Sequence, residues 1–246
     1  MADKRNRGKE DTGAGLVAYT QPKSAAAEAY RTLRTNIQFA SPDNPVHTIL
    51  ATSTSPDDGK STTIANLAIT FAASGFSTVL VDADLRRPHL HKIFGLSNDT
   101  GLTTLVAELA RATSTSTGPL GTGAPHPRVH RPLQPTQVEN LHVLTSGPIP
   151  PNPAEILGSQ RMTEVLAMLR DTAEYVLIDT PPIIAVTDAA VLSPRVDGVL
   201  LVINAGKTRR DLAVKARDML QQVNAHVLGV VLNNATLDKS TYAYYG

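Results

Sequence analysis

Along most of the chain, short apolar runs alternate with longer stretches in which apolar residues recur every three or four positions. The runs at 46–52, 78–82, 141–145, 175–179, 199–204 and 227–232 are largely continuous in apolar character. Continuous runs of this length predict strands buried on both faces, as in a parallel sheet. Helical spacing predicts helices over 24–39, 60–73, 160–171 and 209–223. In the first of these, Ser24 is placed to cap the N-terminus, and Ala26, Ala29, Tyr30, Leu33 and Ile37 form one stripe. The order strand, loop, helix, strand between 46 and 82 has the size of a βαβ unit. The expected fold class is therefore α/β, a single domain with a doubly wound, mostly parallel sheet and helices on both faces.

Two stretches depart from this pattern. Residues 1–20 are charged and Gly-rich, which predicts a flexible tail. Residues 112–137 are rich in Ser, Thr, Gly and Pro. They predict a mobile surface loop inside the domain, because strand–helix alternation resumes after them. His126 and His130 lie four apart there, a spacing that suits metal binding on a helix. The prolines around them argue instead for a solvated loop. The expected organisation is a tail over 1–20, a domain over 21–237 carrying this insertion, and a terminal tail over 238–246.

Composition removes several function classes. The chain has 246 residues, 41% of them hydrophobic, enough for one full core. A net charge of +1 gives no global field to draw nucleic acid or an anionic membrane. The absence of cysteine excludes disulfides, iron–sulfur clusters and thiolate zinc sites. No apolar stretch approaches the ~20 residues of a membrane span. The polar N-terminus lacks the apolar centre of a secretory signal. These features predict a cytoplasmic protein without a nucleic-acid partner.

The strongest chemical signal lies between the strand at 46–52 and the helix at 60–73. Thr54, Ser55, Pro56, Asp57, Asp58, Gly59, Lys60 and Ser61 match the phosphate-loop pattern G-x-x-x-x-G-K-[ST] except at the first glycine, which is Thr54. Backbone N–H groups and the N-terminus of the next helix, where Thr62 follows, suit phosphate oxygens. Gly59 lets the backbone approach closely. Lys60 reaches the β- and γ-phosphates, and the Ser61 hydroxyl ligates Mg²⁺. ATP and Mg²⁺ are thus the expected cofactors. Asp57 and Asp58 sit oddly in an anion site and are expected to point outward, or towards metal or water.

Two more strands end in carboxylates, Asp82 with Asp84 after the second run and Asp179 after the fourth. Ligands of parallel sheets sit at the carboxyl ends of strands, so all three segments can meet in one crevice. A lone strand-end Asp is more often a turn or cap residue, but two such endings beside a phosphate loop favour a site. Asn233, after the last run, could touch the base, although a turn role is the commoner one. Three of the six tyrosines, Tyr242, Tyr244 and Tyr245, fall in the last five residues. They are equally consistent with a sticky or packed terminus and with a phosphoacceptor tail.

Together these features resemble the bacterial tyrosine kinases, or BY-kinases, of capsule and exopolysaccharide synthesis. Glu28, Arg31 and Arg34 match that family's E-x-x-R-x-x-R oligomerisation motif. TSTSPDDGKSTTIANLA is similar to its Walker A, VLVDADLRRP to its A′ motif, YVLIDTPP to its Walker B, and the closing tyrosines to its autophosphorylation tail. The resemblance covers nearly everything from Tyr19 onward.

The resemblance implies roles for these residues. Lys60 would bind phosphate. Asp82 would be the base for the tyrosine hydroxyl. Asp84 and Asp179 would join Ser61 around the metal, and Arg86 would assist phosphate or orient an aspartate. It also implies a ring-like homo-oligomer, protein substrates in polysaccharide precursor synthesis, and a separate membrane-spanning activator. That activator would hold the chain at the inner face of the plasma membrane and complete its site with a cytoplasmic segment. Asp57 departs from a position often glycine in the family.

Rival readings are a ParA/MinD-like ATPase switch and a degenerate, nucleotide-gated scaffold. The switch ATPases carry a second lysine where this chain has Ser55. Retention of Lys60, Ser61, Asp82, Asp84 and Asp179 gives no sign of a dead enzyme.

Overall fold

The computed structural model of the chain describes residues 15–40, 45–114 and 132–235. In chain order, α1 (Val17–Thr20) and α2 (Ala25–Ala40) precede β1 (Thr48–Ser53), α3 (Lys60–Ala72) and β2 (Thr78–Asp82). Then follow α4 (Leu90–Phe94), α5 (Leu102–Ser114), β3 (Leu133–Pro135) and β4 (Leu141–Leu144). The chain continues through α6 (Pro153–Gly158), α7 (Gln160–Arg170), β5 (Tyr175–Asp179) and α8 (Asp188–Leu192). It closes with β6 (Gly198–Asn204), α9 (Arg210–Gln222) and β7 (Val227–Asn233). The strands form one sheet in the order β3-β4-β2-β5-β1-β6-β7, and all pairs are parallel except β3 with β4.

The continuous apolar runs of the inner strands are explained by two dry faces, whereas the edge strand β7, expected to be buried on both faces, leaves Val230 and Leu232 exposed. Successive side chains of a strand point to opposite sides. On one face Leu50, Val79, Val81, Val176, Ile178, Val199 and Leu201 pack with α5, α7 and α9. On the other Ile49, Ala51, Leu80, Leu177 and Leu200 pack with α2, α3 and α4. Helix α3 has no polar face to spare, because α1, α2 and the sheet enclose it. Its Phe71 ring lies 4.1 Å from that of Tyr175 between centroids. Ser24 caps α2 as expected, its hydroxyl accepting the Ala27 N–H at 3.2 Å.

The boundaries of the two departing stretches need correction. A tail through residue 20 does not hold for its last residues, since Leu16 is fully buried and 17–20 are helical. The cause is Asn66 on α3, also fully buried, which accepts the Ala18 N–H at 2.8 Å and donates to the Gly15 carbonyl at 2.7 Å. A buried amide needs such partners. The loop expected over 112–137 does not hold at either end. Helix α5 continues through Ser114, and residues 133–135 form an antiparallel edge strand. An edge tolerates Pro135. His126, His130, Tyr242, Tyr244 and Tyr245 lie outside the described residues.

Candidate active site

Strand register brings the carboxylates together. Asp82 ends β2 directly beside Asp179 at the end of β5, and Asp179 pairs across with Ala51 of β1. The phosphate loop leaves β1 at the same end of the sheet. Its shape is set from inside. Asp58 is buried, and its carboxylate accepts the Thr54 hydroxyl at 2.6 Å, the Ser55 N–H at 2.9 Å and the Thr208 hydroxyl at 3.3 Å. The expectation that Asp58 points outward or towards metal is therefore wrong. Its carboxylate holds the loop by hydrogen bonds, which is how a buried charge is tolerated. Asp57 is exposed and left-handed at φ 63°, the conformation a glycine would supply and one that Asp tolerates better than most residues.

Gly59 also stands at positive φ, and a Cβ there would lie 1.8 Å from Asn233 Nδ2. That amide donates to the Asp58 carbonyl at 3.0 Å. Asn233 thus packs against the phosphate loop and ties the end of β7 to it.

Lys60 lies in the middle of the acidic cluster. Its Nζ is 3.0 Å from Asp179 Oδ1, 3.0 Å from the Ser61 hydroxyl and 3.4 Å from Asp84 Oδ2. Asp82 and Asp179 are fully buried, and Asp84 is 6% exposed. One ammonium therefore faces three carboxylates in a low-dielectric site. Burial would lower the Lys60 pKa, but Asp179 and Asp84 together raise it. Asp82 is pushed up to about 8, first by burial and then by the charge of Asp179. Asp179 is raised as well, because burial outweighs the Lys60 contact. Asp82 Oδ2 accepts the N–H groups of His89 at 3.0 Å and Leu90 at 2.9 Å, at the start of α4. Asp84 lies in the loop beyond β2, lines the cleft and accepts the Arg87 N–H at 3.0 Å.

The donor set fits a hard divalent cation. Asp82 Oδ1 and Asp179 Oδ2 are buried oxygens without a hydrogen-bond partner among the described residues. The Ser61 hydroxyl and Asp84 stand at the same lysine, and Mg²⁺ prefers such oxygen ligands. A cleft of about 630 Å³ is lined by Lys60, Ser61 and Asp84 of this cluster, with Asp82 and Asp179 buried behind them. The phosphate loop forms one wall, and Arg86, Arg87, His89, Pro181 and Pro182 lie along the rest.

Other expected site residues have partners of their own. Arg86 forks onto Asp188, a residue that no motif singled out. Its one sequence signal was Thr187-Asp188 opening a short helix. Glu28 and Arg31 pair within α2 at 2.5 Å. Arg34 turns into the domain, donating to the Thr70 carbonyl at 2.9 Å. Among the described residues, no helix is long and apolar enough to cross a membrane.

This arrangement has relatives. A family model described as ParA, NUBPL iron-transfer P-loop NTPase, matches residues 45–241. The chain is 42% identical over its whole length to tyrosine-protein kinase YwqD of Bacillus subtilis, covering 97% of that protein. The chain belongs to the bacterial tyrosine kinase family. The kinase domain of the Escherichia coli tyrosine kinase ETK superposes with a TM-score of 0.79 at 31% identity, over 96% of this chain and 85% of that one. MinD of Pyrococcus horikoshii shares the fold, with a TM-score of 0.57 at 22% identity over 78% of this chain and 72% of that one. This bacterial tyrosine kinase is thus built on a ParA-like nucleotide-binding fold, and the rival named from sequence is a relative in architecture.

Proposed function

We propose that the chain is an ATP-dependent protein-tyrosine autokinase that acts on Tyr242, Tyr244 and Tyr245 and regulates capsular or exopolysaccharide synthesis. The observation that carries this is the meeting of Ser61, Asp84 and Asp179 around the Lys60 ammonium at the phosphate loop, in a chain whose relative YwqD is named a tyrosine-protein kinase. The phosphate loop holds ATP, with Lys60 turning from its carboxylates to the β- and γ-phosphates. Ser61, Asp84 and Asp179 would hold Mg²⁺, which neutralises charge on the phosphate oxygens. The phenol oxygen forms a bond to the γ-phosphorus as the bond from that phosphorus to the bridging oxygen breaks, and ADP leaves. The phenol proton passes to a carboxylate, with Asp82 as the base. Positioning and charge neutralisation account for most of such a transfer.

Two partners follow from this reading. The first is a membrane-spanning activator whose cytoplasmic segment completes the site and brings the chain to the inner face of the plasma membrane. The second is another copy of the chain, in a ring whose contacts include Glu28 and Arg31, and Arg34 once its guanidinium leaves the Thr70 carbonyl. The Glu28–Arg31 pair is exposed, so exchanging it for a pair between subunits costs little. With all three residues changed to Ala, the mass in solution should fall to that of smaller assemblies; an unchanged mass removes their role.

The match to the ParA model favours a second reading, a switch ATPase without a protein acceptor. Incubation with ATP, Mg²⁺ and the activator segment, followed by phosphosite mapping, separates the two. Changing Tyr242, Tyr244 and Tyr245 together to Phe should preserve ATP turnover and remove most self-labelling. Unchanged labelling would move the acceptors elsewhere. Hydrolysis with no labelled tyrosine in the parent protein would leave the switch.

A further inference from the structure

Two loops face each other across the cleft, and one ion pair joins them. Arg86 belongs to the loop after β2, and Asp188 opens α8 at the far end of the loop after β5. Arg86 Nε and Nη2 donate to the two carboxylate oxygens of Asp188, each at 2.9 Å. This is the fork-to-fork geometry that makes arginine a directional binder. The Asp188 side chain is fully buried, whereas that of Arg86 is 40% exposed and lines the cleft. Among the described residues, the Asp188 carboxylate has no other hydrogen-bond donor, and Arg86 Nη1 has no protein acceptor.

A free arginine at a cleft rim samples many rotamers, and ordering it during a reaction has an entropic cost. A buried, bidentate carboxylate orders it beforehand and leaves one guanidinium edge free. Charge on a transferred phosphoryl group is best stabilised by donors already in place.

We propose that Asp188 is a positioning residue that fixes Arg86 at the cleft, so that its free edge meets the γ-phosphate of ATP. This deepens the kinase reading and rests on it for the identity of the phosphate. It assigns no direct contact with ATP to Asp188.

The test uses the full chain carrying Asp188→Asn, Arg86→Lys or both. ADP affinity, steady-state phosphate release from ATP, tyrosine labelling and the thermal midpoint are measured for each. Both single variants should bind ADP as the parent does. Each should lose about 10- to 100-fold in kcat for phosphate release, with KM for ATP moving much less. The double variant should be no worse than the poorer single one, since the two residues act as a unit.

Unchanged kcat in Asp188→Asn overturns the proposal. So does a joint fall of kcat, ADP affinity and thermal midpoint, which would mark the pair as a strut between loops. If Asp188→Asn does not fold, Arg86→Lys with Asp188 intact is judged by the same criteria. The kinase reading fails separately. A parent protein that releases phosphate without labelling tyrosine removes the acceptor but leaves the Arg86–Asp188 effect on phosphate release to be decided.

Discussion

Replacing Lys60 by Met should lower phosphate transfer by roughly 10³-fold or more, with the chain still folded. Among the described residues, Lys60 is the ammonium that lies among Asp82, Asp84 and Asp179, and it is also the cation that the phosphate loop offers to the nucleotide. A methionine fills similar space without charge. The apo protein should lose stability as well, because removing one partner of a buried pair costs roughly 3–5 kcal/mol. That loss should shrink towards acid, where the stranded carboxylates take up protons. Incorporation of labelled phosphate and thermal melting at several pH values measure both effects. Transfer above about a tenth of the parent rate would show that the charge of Lys60 is dispensable and would sink the assignment.

Asp82→Asn should have opposite effects on activity and stability. Transfer should fall by roughly 10²-fold or more, while the apo protein becomes more stable at pH 8 by roughly 1–3 kcal/mol. Asp82 Oδ2 accepts two backbone N–H groups, which an amide oxygen can still do. Asp82 Oδ1 is buried, has no hydrogen-bond partner among the described residues and shares the site with Asp179.

The sign of the pH dependence follows from the raised pKa. In the apo chain Asp82 keeps a proton up to about pH 8, and a cation bound beside it would lower that value and free the carboxylate to act as base; the unfolded chain releases the proton near the ordinary carboxylate value of 3.8. Stability attributable to this group therefore falls as pH rises from about 4 to about 8, and is constant above that range. The difference between variant and parent should vanish below pH 4 and be full above pH 8. Subtraction matters because Asp197, lowered by its hydrogen bonds from Thr48, Arg170 and His47, gives a contribution of opposite slope. A variant that is less stable than the parent at pH 8 would contradict this account.

Much of the site was legible because its chemistry is local in sequence. A phosphate loop needs a strand, a glycine and a helix in succession, and residues 48–72 supply them. Strands buried on both faces announce themselves as unbroken apolar runs. The misread elements lacked such signals. The end of α5 lies in a Ser- and Thr-rich stretch, and β3 has three residues, one of them proline. Leu16, Val17 and Ala18 read as a short apolar run closing a polar tail until Asn66 is seen to hold the backbone around them. The role of Asp188 depends on Arg86, 102 positions earlier. No spacing rule reaches that far, because the sheet makes the contact. Asp58 was misread for another reason. Its charge suggested repulsion from phosphate, whereas its burial points that charge at Thr54, Ser55 and Thr208.

The Asp58 brace bears on how fast and how cheaply a nucleotide is captured. Glycine-rich loops have many conformations to lose, and a loop that folds only around its ligand surrenders part of the binding free energy to ordering. Here the Thr54 and Thr208 hydroxyls, the Ser55 amide and the Asn233 amide hold the loop by hydrogen bonds made wholly within the chain. Association should then be a single bimolecular step with a rate linear in nucleotide concentration, and ADP should enter as quickly as ATP. Discrimination between them is left to dissociation, where only ATP has a third phosphate to retain.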